Sequence, residues 1–210
     1  MRWTFGVAPL PRSAAAARRL RRVTDLVLSL EADDGELDHL VADLRAAEAR
    51  LAALVPPDAR PRVGRAAASD GRVYLDHSRD VGAFNPSFPE YDIAVDGDRA
   101  AGTITFPVAF EGPPGIVHGG FLAVFFDCVM QHHSCDVGVA GKSTALALRY
   151  RRPTPLLTEL RFELTREVDD HRITSTGRLE AGGELLCEAE MRAVVGDRAS
   201  LPQVSPRRDR

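Results

Sequence analysis

The feature that most constrains the fold is a ten-residue apolar stretch, Phe121 to Met130, in which Asp127 is the one charged residue. Drawn as a helix, this stretch carries apolar side chains on every side, and a helix that is hydrophobic all round is buried. We therefore expect a central, buried helix that begins at Gly119 or Gly120 and runs to about His133. The stretch is far shorter than the roughly 20 residues of a membrane-spanning helix, so no membrane span is predicted.

The C-terminal part of the chain predicts a sheet. Residues 159–165, 172–180 and 185–195 alternate apolar and polar side chains, which is the period of half-buried strands. Turn residues separate them, Asp169-Asp170 and Gly182-Gly183, so these strands should be antiparallel neighbours. Shorter stretches add three candidate strands: Tyr91 to Val95, Ala101 to Phe106 and Thr144 to Tyr150. The expected fold class is α+β, with one antiparallel sheet wrapped around the central helix.

The first 72 residues predict a helical extension followed by a linker. Two amphipathic helices are indicated by leucine and valine at spacings of three, four and seven between residues 14 and 55. Asp33 with Glu36 resembles a capping box for the second helix, and Pro56-Pro57 should stop it. We expect this helical hairpin to pack on its own chain or on a partner subunit. The compact domain then spans residues 73–196, and residues 197–210 predict a disordered tail.

Charge and cysteine usage exclude several classes of function. The 27 basic and 30 acidic residues leave a net charge of −3, so the chain is no polyelectrolyte partner for nucleic acid. Three cysteines without a CxxC pair support neither a disulfide framework nor a zinc knuckle, and a cytoplasmic location is expected. The adjacent His132 and His133 precede Cys135 and Asp136, but neighbouring helical side chains point about 100° apart, which disfavours a shared metal ion.

Asp127 needs a physical reason, because an ionised carboxylate is costly to bury unless it is paired or faces a polar cleft. One interpretation is a structural carboxylate held by an arginine or by backbone donors. The other follows from the loop upstream, where Pro113-Pro114-Gly115 and then Gly119-Gly120 lead into the helix start. Unpaired N–H groups at a helix start bind oxyanions, and paired glycines let a ligand approach closely. Together with a carboxylate, they suggest acyl transfer.

The spacing of these two groups predicts a dimer. Gly119 and Asp127 are eight residues apart, which at the helical rise of 1.5 Å is about 12 Å along the axis. A reacting carbon has to lie within about 3 Å of both the attacking group and the oxyanion donors. If both residues act on one bond, the Gly119 N–H comes from one chain and Asp127 from another, in a symmetric dimer with two equivalent sites.

At these residues the chain resembles a known family. The run GPPGIVHGG at 112–120, with Asp127 nine residues after the histidine and a YRRP segment at 150–153, is similar to the PaaI-like branch of the hot-dog thioesterases. The resemblance implies a hot-dog fold, obligate dimers often paired into tetramers, and hydrolysis of acyl-CoA without metal or organic cofactor. It implies that Asp127 is nucleophile or general base, that the Gly119 N–H polarises the thioester carbonyl, and that Ser143 orients water, with Thr144 as the adjacent alternative.

Further residues are weighed as substrate contacts. His118 is expected to be a structural hydrogen-bonding residue that could also meet substrate beside Gly120. Arg151 and Arg152 could bind the phosphates of CoA, although as alternating strand residues only one should face the groove. Some relatives carry an amide in the loop where this chain has Glu111, which leaves the role of that acid open.

We expect an acyl-CoA thioesterase. Two alternatives stay open: a non-catalytic acyl-CoA-binding hot-dog protein, and a hot-dog dehydratase or hydratase, which would need a paired histidine and aspartate.

Overall fold

The structure, a computed structural model, describes residues 12–32, 35–55, 62–63, 80–136, 141–195 and 205–206. Within these residues the helices are α1 (Ser13–Leu28), α2 (Glu36–Ala52), α3 (Val81–Phe84) and α4 (Gly119–Asp136), with a 3-10 helix at Val108–Phe110. The strands of the main sheet are β1 (Asp92–Asp96), β2 (Arg99–Thr105), β3 (Gly141–Tyr150), β4 (Glu159–Asp169), β5 (Arg172–Ala181) and β6 (Glu184–Val195).

The six strands form one antiparallel sheet in the order β1-β2-β4-β5-β6-β3, and α4 lies against its inner face. The strand that follows α4 in the chain therefore pairs with the last strand and forms one edge of the sheet. This arrangement confirms the expected α+β class and the hot-dog fold. No helix among the described residues is long and apolar enough to cross a membrane.

Strand alternation decides which side chains reach α4. Along β4 and β5 every second residue is buried, and the same holds for much of β6. The core joins these inward residues to α4; its largest fully buried members include Phe106, Phe125, Phe126, Phe162, Met130 and Leu160. Gly177 of β5 lies directly under the helix, because a Cβ there would be 2.9 Å from the Phe126 ring.

The predicted turns are close to those observed. Gly182 and Gly183 join β5 to β6 with φ values of 56° and 84°, the positive pair that suits a tight hairpin. The turn between β4 and β5 comprises Asp170 and His171, one residue later than predicted, because β4 continues through Asp169.

The prediction that α4 is buried on every side is wrong along one stripe. Gly120 is exposed, and Val124, Asp127 and Gln131 are half-buried, at spacings of four, three and four. Residues so spaced share one face of a helix. The helix is therefore apolar in composition, but in a single chain it leaves one narrow face open, and Asp127 lies on that face.

The helical extension docks on the hot-dog part through α1. The buried Arg21 guanidinium donates to the carbonyl oxygens of Gly82, Asn85 and Phe88 at 2.7, 3.2 and 3.3 Å, and pairs with the Glu90 carboxylate at 2.9 Å. These contacts hold α1 against α3 and the segment that follows it.

A second tie from α1 reaches the loop ahead of α4. Asp25 Oδ1 accepts the Ala109 N–H at 3.0 Å, inside the 3-10 helix. The neighbouring Phe110 packs edge to face on Phe121, with ring centroids 4.8 Å apart. Helix α1 thus contacts and positions the segment that leads into the start of α4.

One detail of the extension corrects the sequence analysis. The capping box is wrong: α2 begins at Glu36 with Gly35 as its N-cap and no side-chain cap, so Glu36 lies too early to close a box. Asp33 and Pro56-Pro57 lie outside the described residues. Most of the predicted linker and tail do too; of their residues, the structure describes Arg62–Val63 and Ser205–Pro206, which form a short parallel pair of strands.

Candidate active site

Asp127 is held by a hydroxyl from the edge strand. Ser143 Oγ donates to Asp127 Oδ1 at 2.7 Å. Asp127 forms no ion pair and accepts no backbone N–H within the described part of the chain, so the interpretation of a carboxylate tied off by an arginine or by backbone donors is wrong there. The structure brings together Asp127 and Ser143, two of the three predicted catalytic residues.

Gln131 completes this cluster and was missed by the sequence analysis. Its amide Nε2 donates to Ser143 Oγ at 2.8 Å. An amide NH₂ can only donate, so the Ser143 oxygen accepts this bond and its own proton is left for Asp127. Gln131 lies four residues after Asp127 on one helix face, a spacing that could have marked it as a neighbour.

A β-bulge aims Ser143 at the helix. The register between β3 and β6 pairs Ser143 with Ala193 but Ala145 with Arg192, which leaves Thr144 as an extra residue. In a regular strand, with Thr144 paired like its neighbours, Ser143 would share a face with Ala145 and point away from α4. Because Thr144 is bulged out of the pairing, Ser143 lies on the same face as the later inward residues of β3, towards the helix.

The start of α4 offers one unused donor. His118 Nδ1 accepts the Gly120 N–H at 3.0 Å, and the Phe121 and Leu122 N–H groups are directed to the His118 carbonyl. The Gly119 N–H has no hydrogen-bond acceptor among the described residues. His118 thus has the expected structural role, and it takes up the Gly120 N–H that was a candidate substrate contact. The free Gly119 N–H is the donor available to an anion.

Tyr150 secures this helix start from the sheet. Its hydroxyl donates to the Gly119 carbonyl at 3.0 Å. A Cβ on residue 119 would lie 3.1 Å from the hydroxyl oxygen of Tyr150. A glycine at this position therefore lets the end of β3 approach the helix backbone closely. Tyr150 belongs to the YRRP segment, although its own contact with Gly119 was not predicted.

Gly119 and Asp127 both belong to the unbroken helix α4, Gly119–Asp136. The expected separation of about 12 Å along the axis therefore holds. In one chain the free N–H lies at the helix tip while the Asp127 and Ser143 pair lies two turns further along. The structure does not bring these two parts together within a single chain.

The other candidate residues are engaged elsewhere. The Thr144 hydroxyl donates to the Arg192 carbonyl at 3.0 Å and does not contact Asp127. Arg151 pairs with Glu188 and Arg152 with Glu184, each at 2.7 Å on the exposed surface. The expectation that the two arginines alternate along a strand is wrong, because β3 ends at Tyr150 and both backbone N–H groups donate to the Leu186 carbonyl.

Glu111 has a local role in the loop. Its Oε1 accepts the Gly115 N–H at 2.7 Å, which closes the turn before the helix start. The acid that replaces an amide here therefore braces its own loop in this structure.

The thiol beside the carboxylate is held neutral. Burial, and secondarily the negative charge of Asp127, raise the pKa of Cys128 to about 12. Cys128 is therefore a packing residue of the core and no nucleophile at neutral pH. Within the described residues no group of three or more His, Cys, Asp or Glu side chains is placed to hold a metal ion.

Comparisons with known proteins find similar solved structures. No protein-family model and no curated protein matches the chain. Among solved structures, the thioesterase superfamily protein RHA08564 is 27% identical, with a TM-score of 0.72, and the match covers 91% of this chain and 100% of that one. So broad a match includes part of the helical extension.

Two further matches cover about half of this chain. The Streptococcus mutans UA159 protein smu.793, bound to acetyl CoA, is 13% identical with a TM-score of 0.50, over 52% of this chain and 90% of that one. A phenylacetic acid degradation-related protein from Ralstonia eutropha JMP134 is 24% identical with a TM-score of 0.47, over 50% and 84%. The chain thus has the hot-dog fold and, over most of its length, is similar to a thioesterase superfamily protein.

Proposed function

We propose that this protein hydrolyses an acyl-CoA thioester to a free acid and CoA, at a site shared by two copies of the chain. Asp127 of one copy and the Gly119 N–H of the other act on the same thioester. The observation that carries the proposal is the position of the hydrogen-bonded Asp127 and Ser143 pair on the open stripe of α4, two helical turns from an unused N–H donor.

The open stripe fits a second copy of α4. If two α4 helices lie antiparallel about a two-fold axis at Ala123, Asp127 of each lies level with Gly119 of the other, because Ala123 is midway between them in sequence. Ala123 is small and half-buried, which allows close approach. The neighbouring β3 is an edge strand of the six-stranded sheet, and edge strands are ready to pair with another chain.

The proposed chemistry assigns one task to each group. As general base, Asp127 takes a proton from water, and the oxygen of that water adds to the thioester carbonyl carbon. The Gly119 N–H of the other copy stabilises the oxyanion that forms. The C–S bond then breaks, and the thiolate of CoA takes up the proton. As nucleophile, Asp127 would instead form a mixed anhydride that water hydrolyses. In single-turnover hydrolysis in oxygen-18 water, label in Asp127 identifies the anhydride route with attack of water on the Asp127 carbonyl carbon, because general-base catalysis puts the label only in the acid product.

The hydrogen bonds from Gln131 to Ser143 and from Ser143 to Asp127 are compatible with Asp127 as general base or as nucleophile. Gln131 donates to Ser143, and Ser143 donates to Asp127 Oδ1. The second carboxylate oxygen, Oδ2, has no hydrogen-bond partner among the described residues and is the one left for water or the carbonyl carbon. Ser143 is therefore a donor that orients the carboxylate, and it is no base itself.

Two observations support acyl-CoA as the substrate class. The motif at 112–120 resembles the PaaI-like acyl-CoA thioesterases, and smu.793, a protein of the same fold, binds acetyl CoA. We expect hydrolysis of at least one member of a panel of aliphatic and aromatic acyl-CoA esters, and Asp127→Asn should lower kcat about 100-fold or more while the circular dichroism spectrum is unchanged. Unchanged kcat in that variant, or binding of CoA esters with no turnover across the panel, contradicts the proposal.

A complementation experiment tests the shared site. Gly119→Pro removes the proposed oxyanion donor, and proline is favoured at the first position of a helix. We expect it to lower kcat about 100-fold, whereas Gly119→Ala keeps the N–H and serves as the control for added bulk beside Tyr150. When Asp127→Asn and Gly119→Pro chains are unfolded, mixed equally and refolded, each mixed dimer contains one intact site, so about a quarter of wild-type activity should return. No recovery from mixed dimers that have formed would show that each chain acts alone.

A further inference from the structure

Helix α2 carries a second unused surface, far along the chain from the proposed active site. Apolar residues follow a heptad pattern with spacings of three, four, three, four and three: Leu37, Leu40, Leu44, Ala47 and Leu51 of α2, and Leu54 just after it. Val41 borders this stripe and is 45% exposed. Apolar residues repeated at these spacings are typical of a coiled-coil seam. We call these six residues the α2 seam.

The seam is largely open to solvent in the part of the chain that the structure describes. No residue of α2 is buried there: Leu37, Leu40 and Ala47 are half-buried, and Leu44 and Leu51 expose 45% and 62% of their surface. In proteins most of the stability of a helix comes from packing of its apolar face. The seam therefore needs an occupant.

We propose that the occupant is the α2 seam of a second copy, paired antiparallel. Full overlap of the two seams places Leu44 of each helix opposite Ala47 of the other and brings Asp43 beside Arg50 of the other, twice by symmetry. Parallel pairing would instead place Asp43 beside Glu48 of the other copy, two like charges. The charges that flank the seam thus select the antiparallel arrangement.

The same charges disfavour a lipid surface. Along α2 four carboxylates (Glu36, Asp38, Asp43 and Glu48) stand against two arginines (Arg45 and Arg50). Helices that lie on anionic membranes carry lysine and arginine on the polar face. The proposal is independent of the proposed catalytic function, because it uses no residue of α4 or β3.

Spin labels measure the pairing directly. The three native cysteines are buried, so a nitroxide reagent reacts with a cysteine introduced at the exposed Ala46 or Asp38. In an antiparallel pair the labels of Ala46→Cys lie at nearly the same height, whereas those of Asp38→Cys are about 22 Å apart along the axis. Double electron–electron resonance on the full chain should therefore give a short distance for Ala46→Cys and a clearly longer one for Asp38→Cys. Similar short distances at both positions, or no pairwise coupling at Ala46→Cys, overturn the proposal.

A charge swap checks the register. In labelled Ala46→Cys chains, Asp43→Arg should cause loss of the coupled signal, because arginine then faces Arg50 of the other copy. Adding Arg50→Asp should restore it, while Arg45→Asp, which lies off the seam, serves as the matched control. Acyl-CoA hydrolysis should be unchanged in all of these variants, so failure of this pairing is distinguishable from failure of the proposed function. Equal coupling in all of them contradicts the proposed register.

Discussion

Ser143 Oγ lies 2.7 Å from Asp127 Oδ1, and this bond joins the edge strand β3 to the middle of α4. The two residues are 16 positions apart in the chain, with the end of the helix and the start of the strand between them. The position of the carboxylate therefore depends on how the sheet edge packs against the helix as well as on the helix itself.

Ser143→Ala should lower kcat about 10- to 100-fold, because a hydrogen bond to a charged group contributes about 1.5–3 kcal/mol. Steady-state kinetics with the best acyl-CoA substrate measures the change. Thr144→Val is the matched control, since the neighbouring hydroxyl donates to the Arg192 carbonyl and not to Asp127. Equal losses in the two variants would mean that the hydroxyl of Ser143 has no special part in turnover.

Gln131→Met should lower kcat by less than Ser143→Ala, because it removes only the donor that orients the serine. In the Ser143→Ala background the same change should have almost no effect on kcat. A double-mutant cycle of kcat/KM values gives the coupling, which we expect to be about 1 kcal/mol. Additive effects would show that Gln131 acts by a route that does not pass through Ser143.

Arg21→Met should destabilise the protein by about 2–4 kcal/mol, because three carbonyl groups lose a charged donor in a buried setting. Urea unfolding followed by circular dichroism measures the loss of unfolding free energy. Arg22→Met changes an exposed arginine of the same helix and should have little effect. If the two variants were equally stable, α1 would not be docked through Arg21.

The stability of the protein should fall between pH 8 and pH 10. Burial, with a smaller contribution from the charge of Asp127, raises the pKa of Cys128 from its ordinary value of 9.0 to about 12. The unfolded chain thus releases this proton first, and stability that is complete below pH 9 is lost as pH rises towards 12. Urea unfolding at the two pH values should show a loss about 1 kcal/mol larger for wild type than for Cys128→Ala. Parallel losses would indicate that Cys128 ionises alike in both states.

Periodicity predicted most of the fold. The alternation of β4, β5 and β6 and the apolar composition of α4 are local signals, and they gave the sheet, the central helix and the position of Asp127. The open stripe was missed because the composition of a helix does not reveal which of its faces a single chain leaves uncovered. The short helix α3 was missed as well, since its four residues are too few to show a period.

Contacts made through tertiary structure could not be predicted in the same way. Arg21 lies on the polar side of an amphipathic pattern, which favours a solvent-exposed position, yet it is buried because three carbonyls about 60 residues away converge on its guanidinium. The spacing of four residues could have predicted that Gln131 lies near Asp127 on the helix. Its hydrogen-bond partner Ser143 comes close only when β3 packs against α4. The bulge at Thr144 depends on the register with β6, which β3 does not encode alone.

That bulge separates the face on which a side chain lies from its spacing along β3. Deleting Thr144 would leave Ser143 opposite Ala193 and Ala145 opposite Arg192 in a regular ladder, so Ser143 would still face α4 if the rest of β3 kept its pairing with β6. For related chains, a serine two positions before the counterpart of Leu146 in a regular strand is therefore equivalent to Ser143, which lies three positions before Leu146 across the bulge.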